Sequence, residues 1–370
     1  MQTTLIRQIF EKALPGSINF GLGEPDLPTP EFVRREAARV ALDEQNGYTS
    51  HPGLLSLREK IASDYPHLNL TPQDVVVTCG SQEAMTGAML SIVDEADEVL
   101  IPDPVFAAYP NVIRLCGGKP VTFRLPQEKD FAFDLDEFKA KITPRTKAVV
   151  IVSPSNPTGK IFTENDLREI ADCLKGTGAF VISDEIYRDL YFGNARPDSI
   201  SEFYERTIIV SGLSKSMSMT GWRLGWMCSG VKEIMRAEHI VHGYLTVCTA
   251  TVSQKAALTA WSDEARQSVA EARRIYRARR DFFVPLLEKE LKCRAVTPDG
   301  AFYTMIDVRE YNDDVMLAEH LLTRKVITVP GVAFGAESRG FLRLSFCSNE
   351  ETLTEGVRRI KDGLKSLKSQ

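Results

Sequence analysis

Residues 74–93 read DVVVTCGSQEAMTGAMLSIV, and this stretch decides the fold class. A β-branched run over residues 74–79 stops at Gly80, and from Ser81 onward the pattern is helical. A buried strand that passes through one glycine into a helix is half of a βαβ unit. The alternation repeats along the chain. Further strands are expected at residues 98–101 (stopping at Pro102-Asp103-Pro104), 120–124, 147–152, 179–183, 207–210 and 223–228. Helices are expected at residues 53–62 and at 163–174, the latter with Thr163 as N-cap. Near-continuous apolar strands imply burial on both faces, hence an α/β fold with a mostly parallel sheet sandwiched by helices.

Beyond about residue 262 the texture changes. A long charged helix over 263–290 leads into strands at 301–308, 326–329 and 341–346, a helix at 314–323 and a final helix from Glu350. This describes a smaller α+β domain. The opening residues are too few to stand alone and are expected to pack on it. The expected division is a large domain over 31–262 and a small one made of 1–30 and 263–370.

A net charge of −5 gives no electrostatic case for nucleic acid or an anionic membrane as partner. The basic run Arg273, Arg274, Arg277, Arg279 and Arg280 reads as a solvated helix face rather than an anion site. No window offers the roughly 18 uninterrupted apolar residues of a transmembrane helix, and the N-terminus lacks a secretory apolar core. Seven cysteines form no C-x-x-C pair, which reads as reduced thiols in a cytoplasmic protein. His239 and His242 lie three apart, without a neighbouring carboxylate or cysteine to complete a metal site.

Ligands of open parallel sheets sit beyond the carboxyl ends of the strands, so polar motifs at those ends carry the functional reading. Strand 74–79 delivers Gly80-Ser81-Gln82 at a helix N-terminus, suited to a phosphate, although a glycine turn with a serine cap reads equally well. Strand 147–152 delivers Ser155-Asn156-Pro157-Thr158-Gly159, a rigid mount for one asparagine or else a plain turn. Strand 179–183 delivers Asp184-Glu185-Ile186-Tyr187, where Asp184 is a buried, paired acid or a helix N-cap. Strand 207–210 delivers Ser211-Gly212-Leu213-Ser214-Lys215; a lysine among small residues in a water-poor loop has a lowered pKa, as a Schiff-base nucleophile needs. Arg223 follows eight positions later, beside Trp222. Arg343 sits inside the apolar run 341–345, where a buried arginine requires an anionic partner from substrate or from a neighbouring strand.

Asn156, Asp184, Tyr187, Lys215, Arg223 and Arg343 occur in the order and approximate spacing of the fold-type-I, class I/II aminotransferases, and the chain resembles the aspartate aminotransferase family from Gly21-Leu22-Gly23-Glu24-Pro25-Asp26 through Arg343. That resemblance implies pyridoxal 5'-phosphate bound as a Schiff base on Lys215, with the freed amine moving the proton. Asp184 would pair with the ring nitrogen, and Asn156 and Tyr187 with the phenolic oxygen. The N–H groups of Ser81 and Gln82, with Ser214 and Arg223, would hold the phosphate. Phe106 occupies the ring-stacking position, and Arg343 would fork onto the substrate carboxylate, helped by Gly23. Phe334 is expected to line the substrate pocket or else to pack in the core. Tyr48 matches a tyrosine that reaches the neighbouring subunit's cofactor, which implies a homodimer with shared sites.

Two departures accompany the resemblance. Gly212 stands where some relatives carry a phosphate-binding serine, leaving Ser211 or Ser214 to compensate, and little chain precedes Gly21 to form an arm over the site. The reaction implied is transfer of an amino group between an amino acid and a 2-keto acid. The alternative is a carbon–sulfur β-lyase, which the same constellation serves. A neutral stretch, residues 244–251, points toward neutral or aromatic donors. A regulatory domain fused to a DNA-binding unit finds no basic patch, and a nicotinamide site fails because Gly21-Leu22-Gly23 lacks the third glycine and the βαβ setting.

Overall fold

The computed structural model describes residues 4–368, and its strands form where β-branched and apolar residues cluster. In chain order they are β1 (Ile18–Asn19), β2 (Val75–Thr78), β3 (Glu98–Asp103), β4 (Lys119–Arg124), β5 (Thr146–Val152), β6 (Phe180–Asp184), β7 (Thr207–Gly212), β8 (Gly225–Cys228), β9 (Tyr303–Asp307), β10 (Val326–Ile327), β11 (Val329–Pro330) and β12 (Phe341–Ser345). β2 to β8 make one sheet in the order β2-β8-β7-β6-β5-β3-β4. β4, β3, β5, β6 and β7 run parallel, and β8 lies antiparallel to both β7 and β2. Every residue of β2, β3, β6, β7 and β8 is buried, because helices cover both faces.

On one face the helices Ser81–Ile92 and Lys232–Leu245 bury Met85, Met89 and Met235 against Val76, Val99 and Val210. On the other, the helix Glu164–Leu174 sets Leu167, Ile170 and Leu174 on Val149, Ile151 and Val181. Thr163 caps that helix reciprocally with Asp166, at 3.2 and 2.8 Å, a motif that contributes about 1 kcal/mol.

After residue 262 the chain builds a second core. The antiparallel sheet β11-β12-β9 packs on the helices Asp263–Leu291, Asp314–Thr323 and Glu350–Lys368 through Phe283, Leu287, Leu321 and Ile360. β1 joins here in parallel with β10, Ile18 opposite Val326, and Phe20 meets Phe283 edge-on at 5.4 Å.

The structure differs from the sequence expectation at several places. β3 continues through Pro102 to Asp103 instead of stopping at residue 101, because its pairing with β5 ends at Leu100 and only β4 flanks it beyond. The strand expected over 326–329 divides into β10 and β11, which belong to different sheets. Arg223 precedes β8 in a left-handed conformation, φ 51°, rather than opening the strand. The helix expected at 53–62 is Leu55–Ser63. The arginine run is no uniformly solvated face: Arg279 pairs with Asp26 at 2.6 Å, Arg273 lies 4.3 Å from the Tyr191 ring and Arg280 4.8 Å from the Phe192 ring, while Arg274 pairs outward with Glu271.

Candidate active site

Parallel neighbours bring the carboxyl ends of β5, β6 and β7 to one edge, with Val152 opposite Asp184 and Asp184 opposite Val210. Beyond that edge lies a cavity of about 300 Å³. Gly23, Ser81, Gln82, Phe106, Asn156, Asp184, Tyr187, Ser214, Lys215, Arg223 and Arg343 all line it. Eleven of the thirteen candidate residues therefore converge from seven segments of chain. The other two stand apart. Phe334 is buried with its ring 4.7 Å from the Arg343 guanidinium, and Tyr48 is 89% exposed on the surface.

Lys215 follows β7, and its Nζ donates to the carbonyl of Gly23 at 2.6 Å. Burial lowers its pKa to about 8, so the neutral, nucleophilic amine grows as pH rises through that value. Asp184 is the last residue of β6 and is no helix cap. Its Oδ1 accepts the Ile186 N–H at 3.0 Å in a local turn, and its Oδ2 accepts the Tyr109 hydroxyl at 2.5 Å. Burial pushes this carboxyl upward, opposed by those two donors and by Lys215.

At the start of the helix Ser81–Ile92 the first N–H groups have no intrahelical partner and face the cavity beside Arg223. Gly80 has φ 84°, and a Cβ there would stand 2.6 Å from Arg223 Nη2, so only glycine lets the guanidinium approach this helix end. Arg223 is itself held by the carbonyls of Thr220 at 2.8 Å and Cys79 at 3.3 Å. Ser214 lines the cavity, whereas the Ser211 hydroxyl is turned to the Glu185 carbonyl at 3.3 Å. Gly212 is explained by packing: a Cβ would lie 2.9 Å from both Gly225 Cα and the Leu224 carbonyl of the adjoining strand.

At the far end Arg343, on β12, is buried. Its Nη1 donates to Asn156 Oδ1 at 2.8 Å, its Nη2 to the Gly21 carbonyl, and its Nε has no partner among the described residues. The Tyr303 ring lies 4.5 Å from the same guanidinium, and the Tyr303 and Tyr187 hydroxyls share a hydrogen bond at 2.8 Å. Carbonyls and rings do not neutralise a guanidinium, so this end is prepared for an anion.

Tyr303 and Tyr109 were not singled out from sequence; the only hint was a polar tip on an aromatic in an apolar run. Ile6 and Phe10, on the helix Leu5–Glu11, also line the cavity, so the short N-terminal segment does reach over the site. His239 and His242 part company: His242 lies between Glu83 at 2.7 Å and the His51 carbonyl at 2.8 Å, a carboxylate that comes from another helix, and His239 meets the Gln73 carbonyl at 3.2 Å.

Comparison with known proteins gives a consistent result. The model of the family "Aminotransferase class I and II" matches residues 15–360. A probable aspartate/prephenate aminotransferase of Aquifex aeolicus is 39% identical over 363 residues, 95% of this chain and 91% of that protein. Aromatic-amino-acid aminotransferase 2 of Thermococcus litoralis is 35% identical over 98% of this chain and 96% of its own length. The solved Thermus thermophilus aspartate aminotransferase with maleate superposes with a TM-score of 0.93 at 33% identity, covering 98% of this chain and 97% of that one.

Proposed function

The chain belongs to the class I and II aminotransferase family and moves an amino group between an amino acid and a 2-keto acid, and from that premise we propose that it works with pyridoxal 5'-phosphate held at Lys215. The observation that carries this reading is the buried amine of Lys215, lowered to about 8, in a cavity that also holds a buried carboxyl and two arginines. The residues present fit the group. A helix N-terminus with Arg223 and Ser214 beside it suits a phosphate dianion, and Gly80 leaves the room that this cradle requires. When bound, the cofactor supplies a ring that withdraws electrons from the substrate Cα.

In this reading Asp184 would hold the ring nitrogen protonated, while Tyr109 and the Ile186 N–H aim the carboxyl and favour its ionised form against the burial that opposes it. The Asn156 amide nitrogen, which has no hydrogen bond among the described residues while its oxygen serves Arg343, and the Tyr187 hydroxyl would hold the phenolic oxygen. Lys215 would take the proton from Cα as general base and return it two bonds away, across the imine nitrogen, at the cofactor's C4'. Phe106 covers the ring, and Arg343 binds the α-carboxylate with the Gly23 backbone nearby.

Among the described residues lining the cavity, the charged ones are Asp184, Lys215, Arg223 and Arg343. With these committed, none is left for a second carboxylate, and Ile6, Phe10 and Leu22 add apolar wall. We therefore propose donors with neutral, chiefly aromatic side chains. The relatives' names do not favour the lyase alternative.

Tyr48 and Tyr244, each 89% exposed, with Ile240 at 62%, support a homodimer in which Tyr48 reaches the partner's site. The separate sheets on either side of residue 262 support the division into 31–262 and 1–30 with 263–370, although Ile186, Tyr187, Leu190 and Phe192 pack in the second core. Seven free cysteines support a reducing, cytoplasmic setting, and no helix among the described residues is long and apolar enough to cross a membrane.

The test is an absorbance spectrum before and after addition of phenylalanine, or of aspartate, without keto acid. A visible band giving way to a near-ultraviolet one establishes cofactor and half-reaction. Pyruvate and ammonia accumulating from cystathionine under a persistent band would favour the lyase, no band after soaking would remove the cofactor, and faster conversion by aspartate would overturn the donor class.

A further inference from the structure

Asp103 ends β3, is 6% exposed, and reaches away from its own strand to the loop before β12. Its Oδ2 accepts the Ala336 N–H at 3.0 Å and its Oδ1 the Glu337 N–H at 3.1 Å. Gly335 makes this approach possible: its φ is 144°, and a Cβ there would collide with the Asp103 carboxylate. The same loop is gripped twice more. The Val105 N–H donates to the Phe334 carbonyl at 2.8 Å, and Arg124, at the end of β4, holds Glu337 through two bonds of 2.6 and 3.1 Å. The loop is thereby tied to the edge of the large sheet, and the residue presented from it is Phe334, whose ring touches Arg343.

We infer that Asp103 is a positioning residue for substrate: through the loop 334–337 it fixes Phe334 against Arg343 and so sets the affinity of the carboxylate end of the cavity. The inference rests on the reading of Arg343 as the α-carboxylate site. A carboxylate is required because two N–H groups must each find an oxygen; an asparagine offers one oxygen and turns an NH₂ toward the other donor. Asp103 lies three residues before Phe106, so the latch also joins the wall of the cavity to the element that carries the anion site.

Asp103→Asn and Gly335→Ala attack the latch from its two sides, so the loss of one variant to misfolding leaves the other. In the holoenzyme each is expected to raise KM for the amino donor about tenfold, the effect of one lost hydrogen bond to a charged group, with kcat within about threefold. The affinity for 3-phenylpropionate, a carboxylate that cannot react, is expected to fall in parallel while the cofactor absorbance is unchanged. Combining either with Phe334→Ala should add little, since both act through the same ring. Folded variants with unchanged KM and unchanged probe affinity, a loss confined to kcat, or full additivity with Phe334→Ala would overturn the inference. Arg343→Ala measured alongside separates the two failures. An unchanged KM there removes the carboxylate assignment itself, whereas a raised KM there beside an unchanged one in Asp103→Asn removes only the latch.

Discussion

The two ends of the cavity are built by opposite means. At the Lys215 end the reacting group is held by few bonds: among the described residues Lys215 Nζ has one hydrogen-bond partner, the Gly23 carbonyl, with the Tyr187 ring 5.8 Å away, and burial is the largest cause of its lowered pKa. At the Arg343 end the charged group is gripped by Asn156, the Gly21 carbonyl and the Tyr303 and Phe334 rings, which arrive from four separate segments of the chain. A reacting group has to remain free to exchange partners, whereas a binding group gains from being fixed before the substrate arrives. The contrast teaches where rigidity is placed: around the substrate's anchor, not around the amine that must move.

The largest effect expected from breaking this contrast is at the loose end. Lys215→Ala should lower turnover about 10³-fold, since nucleophile and proton carrier vanish together. Near wild-type turnover in steady-state assays would refute the central assignment. At the rigid end, Arg343→Ala should raise KM about thirtyfold, some 2 kcal/mol, with cofactor retained. Loss of the cofactor band instead would make Arg343 structural. Tyr303→Phe sharpens the comparison, because it removes the bond to Tyr187 but keeps the ring beside Arg343. Turnover should fall about fivefold, near 1 kcal/mol, with KM unchanged. A raised KM would mean that the hydroxyl, not the ring, serves the anchor.

The same contrast governs what was legible beforehand. Residues of the Lys215 end follow strand termini at fixed short intervals, so the apolar run locates the strand and the next polar residue the site. Asp184 and Lys215 were readable for that reason. The supports of the Arg343 end carry no such rule. Tyr303 meets Tyr187 across 116 positions, and Asp103 meets Glu337 across 234. Asp103 was further hidden by Pro102, which marks a strand's end in sequence yet is tolerated here because β5 no longer flanks β3. Phe334, even between pocket and core from sequence, is buried and touches the anchor rather than lining the cavity. The fold was the more legible part, since strand and helix periods are local while the division of residues 326–330 between two sheets is decided by distant partners.

The parallel pairing of β1 with β10 has a consequence for how the protein is made. Ile18 cannot find Val326 until three hundred later residues have left the ribosome, whereas the seven-stranded sheet has all its strands once residue 228 has emerged. The segment carrying β1 is therefore seated only after the large sheet can form, and Ile6, Phe10 and Gly23, which line the cavity, flank it. Between the emergence of residue 228 and that of Val326 the nascent chain can carry an open, unguarded crevice that becomes a vessel once β1 is seated.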